Sequence, residues 1–380
     1  MFLNLLTTFS DDIRLSFIIR LPDSKEIRIG ESYGNPVFTV IINNEKGLQA
    51  LKSGAELKIC EAYIYKDIDL VGKVDMMKLL EITRFFSKDY PFIAWWSKLV
   101  YLLRDQVSTN KKSIAKHYEF DDDFYLLFLD KTRAYSHGIF LNDNESLEVA
   151  NSRKLEFALQ SCQLSVGSKI LDIGTGWGCA VEYLGDKNMS VDALTISQQS
   201  ANFVSNLIKT KKLLNCQVFK IDFLEYQAPF PEYYDAIFSL GTLEHLPNYK
   251  QVLAKCSNLL REGGFAYFDA SAMVSTHAIN SYFIDKHIFP GNHQCLDVYR
   301  FLDAVKNSAF DLISLHNDTH NYYLTLKTWA ENLDRHKQEV INRWGESLYR
   351  KFQLYFWGCC HSMANNELQA YRIVLRKKHK

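Results

Sequence analysis

The sequence of 380 residues has no excess of charge of either sign, since 44 lysines and arginines balance 44 aspartates and glutamates. A nucleic-acid-binding protein that depends on a broad basic surface is therefore not expected, although zero net charge is compatible with a local basic patch that faces a membrane. The eight cysteines include no Cys-x-x-Cys pair and no cysteine–histidine cluster with the spacing of zinc ligands. No metal centre is predicted, and scattered reduced thiols are typical of a cytoplasmic protein.

Long apolar runs are missing as well. Residues 1–17 lack the basic start of a secretory leader, and no segment has the roughly 18 consecutive apolar residues that a membrane-spanning helix needs. We therefore expect a cytoplasmic protein that is at most peripheral at a membrane. Apolar residues make up 47% of the chain and aromatic residues 14%, so a full core is available. The aromatic residues either line an apolar or cation-binding cavity or fill a thick core.

Three regions are predicted along the chain: a small N-terminal α+β domain over 1–90, a helical linker with an aromatic segment over 91–144, and an α/β domain over 145–380. In the first region RLSFIIRL, PVFTVIINN and AELKICEAYIY alternate as strands do, and MMKLLEITRFF has the spacing of an amphipathic helix. A helix that runs into a polar linker is expected at 91–112. The segment 113–140 interleaves aromatic and acidic residues, so it either covers a cationic ligand or packs as an amphipathic helix on the main domain.

From residue 145 onward apolar strands alternate with amphipathic helices. A helix over 145–162 precedes the strand KILDI, and the following strands are MSVDALT, CQVFKID, YDAIFSL and FAYFDAS. Ser197 is a suitable N-cap for the helix after the second strand, and Gly263–Gly264 is the expected stop of the helix before FAYFDAS. This order predicts a doubly wound, mostly parallel sheet that binds ligands at the carboxyl ends of its strands. A helical insertion at 275–307, the strand FDLISLHND and a long helical stretch at 322–361 precede a last strand, LQAYRIVLRKK, which is expected to lie antiparallel at the sheet edge.

The turn after KILDI carries glycines at alternate positions, where the backbone can approach a ligand closely: Gly174, Gly176 and Gly178. This GxGxG spacing differs from the GxGxxG of dinucleotide sites, and the second strand ends at Leu194–Thr195–Ile196 without the acidic residue that a nicotinamide site needs. A dinucleotide oxidoreductase is therefore disfavoured, and the absence of GxxxxGK[ST] excludes a P-loop enzyme. Asp172 before the glycines and Asp222 after the third strand fit S-adenosylmethionine instead, since that cofactor offers an ammonium and an adenine amine to carboxylates and carries no phosphate.

Four separated motifs resemble those of the cyclopropane-fatty-acyl-phospholipid synthase family, which includes the mycolic acid cyclopropane and methyl-transferring enzymes. They are SIAKHYEFDDDFYLLFLD with AYSHGIF, ILDIGTGWG, SLGTLEHLPNY, and FIDKHIFPGN with YYLTLKTW, and the resemblance covers about residues 40–376. It implies a class I S-adenosylmethionine-dependent methyltransferase with a Rossmann-like sheet. The chain departs from the family pattern at Thr175, where the family has a cysteine, and at Ser200, where the family has a glutamine that grips the ribose and this chain has Gln199 one position earlier.

The resemblance also implies which residues contact the cofactor. Tyr135 and Ser136 are expected at the methionine part, Asp172, Gly174, Gly176 and Gly178 at the floor, Thr195, Ile196 and Gln199 at the ribose, and Asp222, Phe223 and Leu240 at the adenine.

In the reaction that the resemblance implies, a methyl group is added to an alkene carbon, a carbocation forms, and a bound bicarbonate removes a proton. The family holds this bicarbonate with a glutamate, a tyrosine, a histidine and a cysteine. Glu244 and Tyr322 match, whereas His137 replaces the cysteine and Asp269 replaces the histidine. Because a carboxylate repels bicarbonate, we expect no bicarbonate and instead a role for Asp269, His137 or Glu244 as base or as a group that positions the acceptor. In the alternative interpretation Asp269 points elsewhere and His137 is a core histidine.

The expected acceptor is an unsaturated acyl chain or a similar apolar molecule. Its carbocation is expected to be stabilised by aromatic faces, for which the candidates are Tyr118, Phe124, Tyr125, Tyr135 and Tyr322. Glu244 and His245 allow a second interpretation, because plant benzylisoquinoline-alkaloid N-methyltransferases, which resemble the same family, use a Glu-His pair at this corner. The acceptor is then a small molecule methylated on nitrogen or carbon. A third interpretation is a cofactor-binding protein without activity. Peripheral membrane contact and a homodimer stay open, and no nucleic-acid partner is expected.

Overall fold

The computed structural model describes residues 15–84, 122–274, 281–290 and 293–379. The helix expected at 91–112, Tyr118 and the first part of the aromatic segment lie outside these residues. Among the described helices, none combines the length and the apolar character that crossing a membrane requires.

A four-stranded sheet forms the N-terminal part. Its strands are β1 (Phe17–Arg20), β2 (Glu26–Ile29), β3 (Phe38–Ile42) and β4 (Ile68–Gly72), in the order β2-β1-β3-β4. Strands β1 and β3 are parallel and the other two pairs are antiparallel. The helices of this part are Glu45–Ser53, Glu56–Ile64 and Met76–Arg84. The strands expected in RLSFIIRL and PVFTVIINN and the helix expected in MMKLLEITRFF are thereby confirmed.

The strand expected in AELKICEAYIY is wrong, because Glu56–Ile64 forms a helix. Leu57, Cys60 and Ile64 follow one another at intervals of three and four residues, so a helix places them on one face. That face packs against an aromatic cluster of the main domain. A short apolar segment is compatible with both periods, and here the tertiary contact selects the helix.

The main domain is built on a seven-stranded sheet in the order β10-β11-β9-β8-β5-β6-β7. Its strands are β5 (Lys169–Ile173), β6 (Ser190–Thr195), β7 (Cys216–Lys220), β8 (Tyr234–Leu240), β9 (Leu260–Met273), β10 (Phe310–Asn317) and β11 (Leu368–Lys377). Among the described strands of this sheet, β11 pairs antiparallel with its neighbours β9 and β10, and the other pairs are parallel. The predicted doubly wound, mostly parallel sheet with an antiparallel last strand is confirmed.

The expected edge position of the last strand is wrong, since β11 lies between β9 and β10. Its successive residues Ile373, Val374 and Leu375 are all fully buried. A strand whose side chains are buried on both faces belongs inside a sheet rather than at its edge. Strand β10 forms the edge and exposes most of its residues.

Helices cover the main sheet and continue beyond it. They are Leu147–Ser161, Cys179–Gly185, Gln198–Lys211, Tyr249–Leu259, Val298–Lys306, Thr319–Arg335, Lys337–Trp344 and Glu346–Ala364, with a short helix at Asp122–Leu126 and a π-helix at Ile284–Ile288. The hydroxyl of Ser197 accepts a hydrogen bond from the Ser200 N–H at 3.3 Å, which confirms Ser197 as a cap. The long helical stretch predicted at 322–361 is divided at His336 and Gly345.

The helix before β9 ends at Leu259, earlier than the predicted stop at Gly263–Gly264. Both glycines lie within β9. A Cβ on Gly264 would lie 2.9 Å from the Arg261 carbonyl oxygen and 3.0 Å from that of Asp235. The glycine therefore serves a close backbone contact and does not end the helix.

Candidate functional site

A cavity of about 990 Å³ lies at the carboxyl ends of β5, β6, β7 and β8 and extends to the N-terminal part. Most of the side chains and glycines expected at the site line it: Tyr135, Ser136, Asp172, Gly174, Gly176, Thr195, Ile196, Asp222, Phe223, Leu240, Glu244, His245 and Tyr322. Four expected residues are not part of this lining: Gly178, Gln199, His137 and Asp269. The sheet thus brings together residues from strand ends that are far apart in the sequence.

The glycine turn after β5 has backbone angles that favour glycine, with φ of 74° at Gly174, 54° at Gly176 and 78° at Gly178. A Cβ on Gly174 would lie 2.3 Å from the Thr242 hydroxyl oxygen, whereas a Cβ on Gly176 would meet no described atom within 4 Å. Gly178 faces the helix Gln198–Lys211 instead of the cavity. The turn therefore leaves open space for a ligand above Gly176 and packs against the protein on either side.

Two carboxylates lie beside this turn, at the ends of β5 and β7. Burial raises the pKa of Asp172 to about 6, although the nearby Thr175 side chain acts in the opposite direction. Asp222 is buried as well, and its Oδ1 accepts a hydrogen bond from the Leu224 N–H at 2.8 Å. The two acids provide acceptors for the amino groups of a ligand that lies along the strand ends.

At the position of the expected ribose contact, Ser200 and Gln199 differ in their surroundings. Ser200 lines the cavity, and its hydroxyl donates a hydrogen bond to the Gly176 carbonyl oxygen at 2.6 Å. Gln199 is exposed. The serine therefore holds the glycine turn in place.

Glu244 lies in the 3₁₀ turn Leu243–His245 after β8 and is almost completely buried. Its Oε1 accepts hydrogen bonds from the N–H and the hydroxyl of Ser271 at 2.7 Å and 2.8 Å, and its Oε2 has no hydrogen-bond partner among the described residues. Burial raises the pKa of Glu244 to about 7 against the effect of Ser271, and the charge of Asp269 raises it further. A carboxyl group that titrates near neutral pH suits general acid–base chemistry.

Tyr322 also lines the cavity, from the helix Thr319–Arg335. Burial and the charge of Glu244 raise the pKa of its phenol well above the usual value, so the hydroxyl stays protonated at neutral pH. Its ring centre lies 5.1 Å from the ring centre of His137. The aromatic face of a neutral phenol attracts a positive charge.

His137 lies behind Tyr322 in a buried chain of polar groups. Its Nε2 is 3.1 Å from Oδ2 of Asp318, and the Arg372 Nε is 3.1 Å from the same oxygen. Although burial raises the pKa of Asp318, the hydrogen bond with His137 and the charge of Arg372 bring it below the usual value. The carboxylate therefore orients the imidazole beside the tyrosine ring.

Asp269 is fully buried and faces the turn that carries Tyr135 and Ser136. Its Oδ1 accepts a hydrogen bond from the Gly241 N–H at 2.6 Å, and its Oδ2 accepts one from the Ser136 hydroxyl at 3.2 Å. Lys154 donates to the same hydroxyl at 2.6 Å, and its Nζ lies 3.6 Å from the carboxylate. Asp269 thus belongs to a buried ion pair that joins two walls of the cavity.

Lys154 was not singled out in the sequence, although a signal for it exists. It lies between Ala150 and Ala158 at intervals of four residues on the helix Leu147–Ser161, and all three are completely buried. A lysine on the apolar face of a helix requires a partner for its charge.

Aromatic rings surround the part of the cavity next to Tyr135. The Tyr135 ring centre is 5.2 Å from Trp329 and 5.7 Å from Tyr125, which is in turn 5.2 Å from Trp177. Tyr125 and its neighbour Phe124 are fully buried in this cluster and are not among the lining residues. Within the described part of the aromatic segment, Phe124 and Tyr125 therefore pack on the main domain, whereas Tyr135 and Ser136 line the cavity. In the residues that the structure covers, no group of histidine, cysteine and acidic side chains is placed to hold a metal ion.

Comparison with known proteins adds to this geometry. Residues 105–373 match a family described as mycolic acid cyclopropane synthetase, and residues 5–87 match a domain described only as of unknown function. Cyclopropane mycolic acid synthase 1 of Mycobacterium tuberculosis is 27% identical over 72% of this chain and 99% of its own. Sphingolipid C9-methyltransferase of Candida albicans is 25% identical over 71% of this chain. The match spans 55% of the length of that relative. The solved structure of the cyclopropane synthase MmaA2 from M. tuberculosis superposes with a TM-score of 0.65 at 25% identity, over 70% of this chain and 98% of its own.

Proposed function

This chain belongs to the mycolic acid cyclopropane synthetase family, and from that membership we propose that it transfers a one-carbon group from S-adenosylmethionine to an alkene carbon of an unsaturated acyl chain. One observation carries the proposal. A single cavity has an open glycine turn with two buried carboxylates on one side, and Glu244 and Tyr322 on the other.

The residues at the strand ends fit the cofactor. Asp172 and Asp222 are the groups that we assign to its amino groups, and Gly176 gives it room at the turn. Tyr135 and Ser136 are assigned to the methionine part, Thr195 and Ile196 to the ribose, and Phe223 and Leu240 to the adenine. When bound, this cofactor supplies an electrophilic methyl group on a sulfonium. The protein aligns the acceptor carbon with that methyl and keeps water out of the apolar cavity.

Glu244 is the base in this proposal. When the acceptor alkene attacks the methyl carbon, a carbon–carbon bond forms, the carbon–sulfur bond breaks and a carbocation is left on the neighbouring carbon. Loss of a proton from the transferred carbon then closes a cyclopropane ring. If a hydride first moves from the methylated carbon to the cationic carbon, the same proton loss leaves a methylene branch instead. The proton goes to Oε2 of Glu244, the oxygen that has no hydrogen-bond partner among the described residues. The faces of Tyr322 and Tyr135 stabilise the cation until that transfer.

Asp269 has a different role in this proposal, because Lys154 neutralises it and Ser136 and Gly241 occupy its oxygens. It positions the turn at Ser136 against the end of β8. His137 likewise acts through Tyr322, with which its ring is in contact. Neither residue lines the cavity, so a bicarbonate between them is not part of the proposal.

A small-molecule acceptor is the second candidate, and the placement of His245 favours it. This histidine lines the cavity next to Glu244, and its ring centre lies 5.7 Å from that of His293 and 5.6 Å from that of Phe289. Two imidazoles beside an aromatic ring provide hydrogen bonds for an amine-bearing substrate.

The test is an incubation of the purified protein with S-adenosylmethionine and vesicles of oleoyl phosphatidylglycerol, followed by mass spectrometry of the released fatty acids. We expect a gain of one methylene mass in the wild type and a strongly reduced yield of it in Glu244→Gln. Proton NMR of the product distinguishes a ring from a methylene branch. A protein that binds S-adenosylhomocysteine but methylates only soluble amines would refute the acyl-chain acceptor in favour of the second candidate. Co-sedimentation with the same vesicles and size-exclusion chromatography test membrane contact and a homodimer.

A further inference from the structure

We infer that the N-terminal domain and the helix Glu346–Ala364 form a compartment for the tail of the acyl chain, and that the missing side chain of Gly358 sets the length of tail that fits. The inference rests on the proposed function and deepens it. It gives a role to the N-terminal region, which lies outside the family match that begins at residue 105.

The N-terminal domain is attached to that helix by a buried arginine. Arg350 donates hydrogen bonds to the carbonyl oxygens of Tyr63 and Ile68 at 2.8 Å and 3.2 Å, and its guanidinium also contacts the carboxylates of Asp69 and Glu346. These contacts satisfy the charge and most donors of a side chain that is 7% exposed.

Polar contacts at the rim complete the attachment. The Tyr63 hydroxyl donates to Oε1 of Gln353 at 2.7 Å, Lys66 pairs with Glu346 at 2.8 Å, and Lys286 of the helical insertion pairs with Glu61 at 2.6 Å. These contacts join the N-terminal domain to the helix Glu346–Ala364 and to the helical insertion.

One face of the helix Glu346–Ala364 lines the cavity along several turns. Its lining residues are Leu354, Tyr355, Gly358, Cys359, His361, Ser362 and Met363. Leu57 and Cys60 of the N-terminal domain line the same cavity, and Met76 follows them from the next helix. Most of the lining is apolar, although Glu56, Lys58 and His361 also belong to it, and an apolar wall suits a hydrocarbon tail.

This compartment is continuous with the proposed reaction centre, since Tyr322 and Glu244 line the same cavity. Tyr355 and Phe289 line this cavity as well, and their ring centres are 5.9 Å apart. An elongated apolar ligand whose alkene is at Tyr322 can extend its tail past Tyr355 toward the N-terminal domain.

Gly358 marks the space for that tail. A Cβ built on it would meet no described atom within 4 Å, and its φ is not in the left-handed region, so the backbone does not require glycine there. Glycine inside a helix costs roughly 0.5–1 kcal/mol relative to alanine. Neither a close contact nor the backbone conformation therefore explains why residue 358 is a glycine. The absence of a side chain instead leaves open space in the cavity.

The test compares Gly358→Phe with Ala364→Phe, which adds a ring to an exposed position of the same helix. Methyl transfer is measured with vesicles of myristoleoyl, palmitoleoyl and oleoyl phosphatidylglycerol. We expect Gly358→Phe to lower kcat/KM for the oleoyl lipid about tenfold or more relative to the myristoleoyl lipid, in the range that a hydrophobic pocket achieves by size. Ala364→Phe is expected to keep the wild-type order. Cys60→Phe, whose folding is checked by thermal denaturation, is expected to shift the preference in the same direction from the opposite wall.

Binding of cis-parinaric acid, followed by its fluorescence, gives a readout without turnover. We expect weaker binding to Gly358→Phe than to Ala364→Phe, with unchanged binding of S-adenosylhomocysteine in both. An unchanged lipid preference in Gly358→Phe, or an equal loss of kcat/KM for all three lipids, would contradict the compartment. If Gly358→Phe changes the preference but a folded Cys60→Phe does not, the N-terminal domain is not a wall of the compartment. If the wild type binds the fatty acid in this way but transfers no methyl group to any lipid, the proposed function fails while the compartment stands.

Discussion

The titration of Glu244 is the property of the site that can be tested most directly. Its pKa is raised from 4.5 to about 7, because burial removes the carboxylate from water. A pKa shift of this size means that Glu244 binds its proton more strongly in the folded chain than in the unfolded chain, by about 3 kcal/mol. The substitution Glu244→Gln keeps an oxygen that can accept both hydrogen bonds of Ser271 and removes the ionisation.

The sign of the effect on stability follows from the direction of the shift. Between pH 4.5 and about 7 the folded chain holds the proton on Glu244 while the unfolded chain releases it, so this group lowers the free energy of unfolding as the pH rises. The stabilising contribution of Glu244 is complete below pH 4.5, the pKa in the unfolded chain, and is lost above pH about 7, the pKa in the folded chain. Relative to the wild type, Glu244→Gln should therefore become more stable by up to about 3 kcal/mol as the pH rises through this range. Asp172 titrates in both proteins, so its contribution largely cancels in the difference.

The assay is urea denaturation of both proteins at several pH values from about 5 to 8, followed by circular dichroism. In parallel, the wild-type rate of methyl transfer should rise with an apparent pKa near 7, since the base must be deprotonated, and Glu244→Gln should lose about 10²–10⁴-fold in kcat. A stability difference between the two proteins that does not change with pH would refute the raised pKa. A variant that keeps the wild-type rate would refute the role of Glu244 as base.

Three further predictions concern other parts of the site and its support. Gly358→Ala should raise the free energy of unfolding by about 0.5–1 kcal/mol in urea denaturation, because the added methyl enters open space and the helix gains propensity. Lys154→Met should cost about 3–5 kcal/mol by the same measurement, because it leaves Asp269 buried without its cation, and Lys154→Met/Asp269→Asn should recover part of the loss. Asp222→Asn should weaken binding of S-adenosylhomocysteine about tenfold in calorimetry, with little change in stability since the amide oxygen can still accept from Leu224; unchanged binding would contradict its assignment to the cofactor.

The main sheet could be predicted because its strands are short apolar runs between clear turn signals. KILDI and MSVDALT are buried on both faces, and the glycine turn and the Ser197 cap fix where the helices begin. Local patterns of this kind do not depend on distant parts of the chain. The first strands and the turn can therefore be predicted from the sequence alone.

The features that escaped prediction depend on distant contacts. The helix Glu56–Ile64 is selected by the aromatic cluster against which it packs, and the inner position of β11 depends on the pairing of β10 with it. The role of Asp269 could not be judged from its own position, because its partner Lys154 lies more than a hundred residues earlier. A resemblance to a family indicates which residues share a site, but a substituted residue takes its role from its new neighbours.

Arg350 has a consequence for building chimeras between relatives. Two of its partners are the backbone carbonyls of Tyr63 and Ile68, which would be present whatever the side chains at these positions. Asp69 supplies a carboxylate from the N-terminal domain. A chimera that combines the N-terminal domain of one relative with the main domain of another therefore makes different demands on the two domains. The N-terminal domain that is transplanted needs the same backbone turn and an acidic residue at the position of Asp69. A recipient main domain without an arginine at the position of Arg350 would leave this acid and the two carbonyls without the hydrogen bonds that the arginine donates. A single substitution to arginine in the recipient is thus the first change that such a chimera should include.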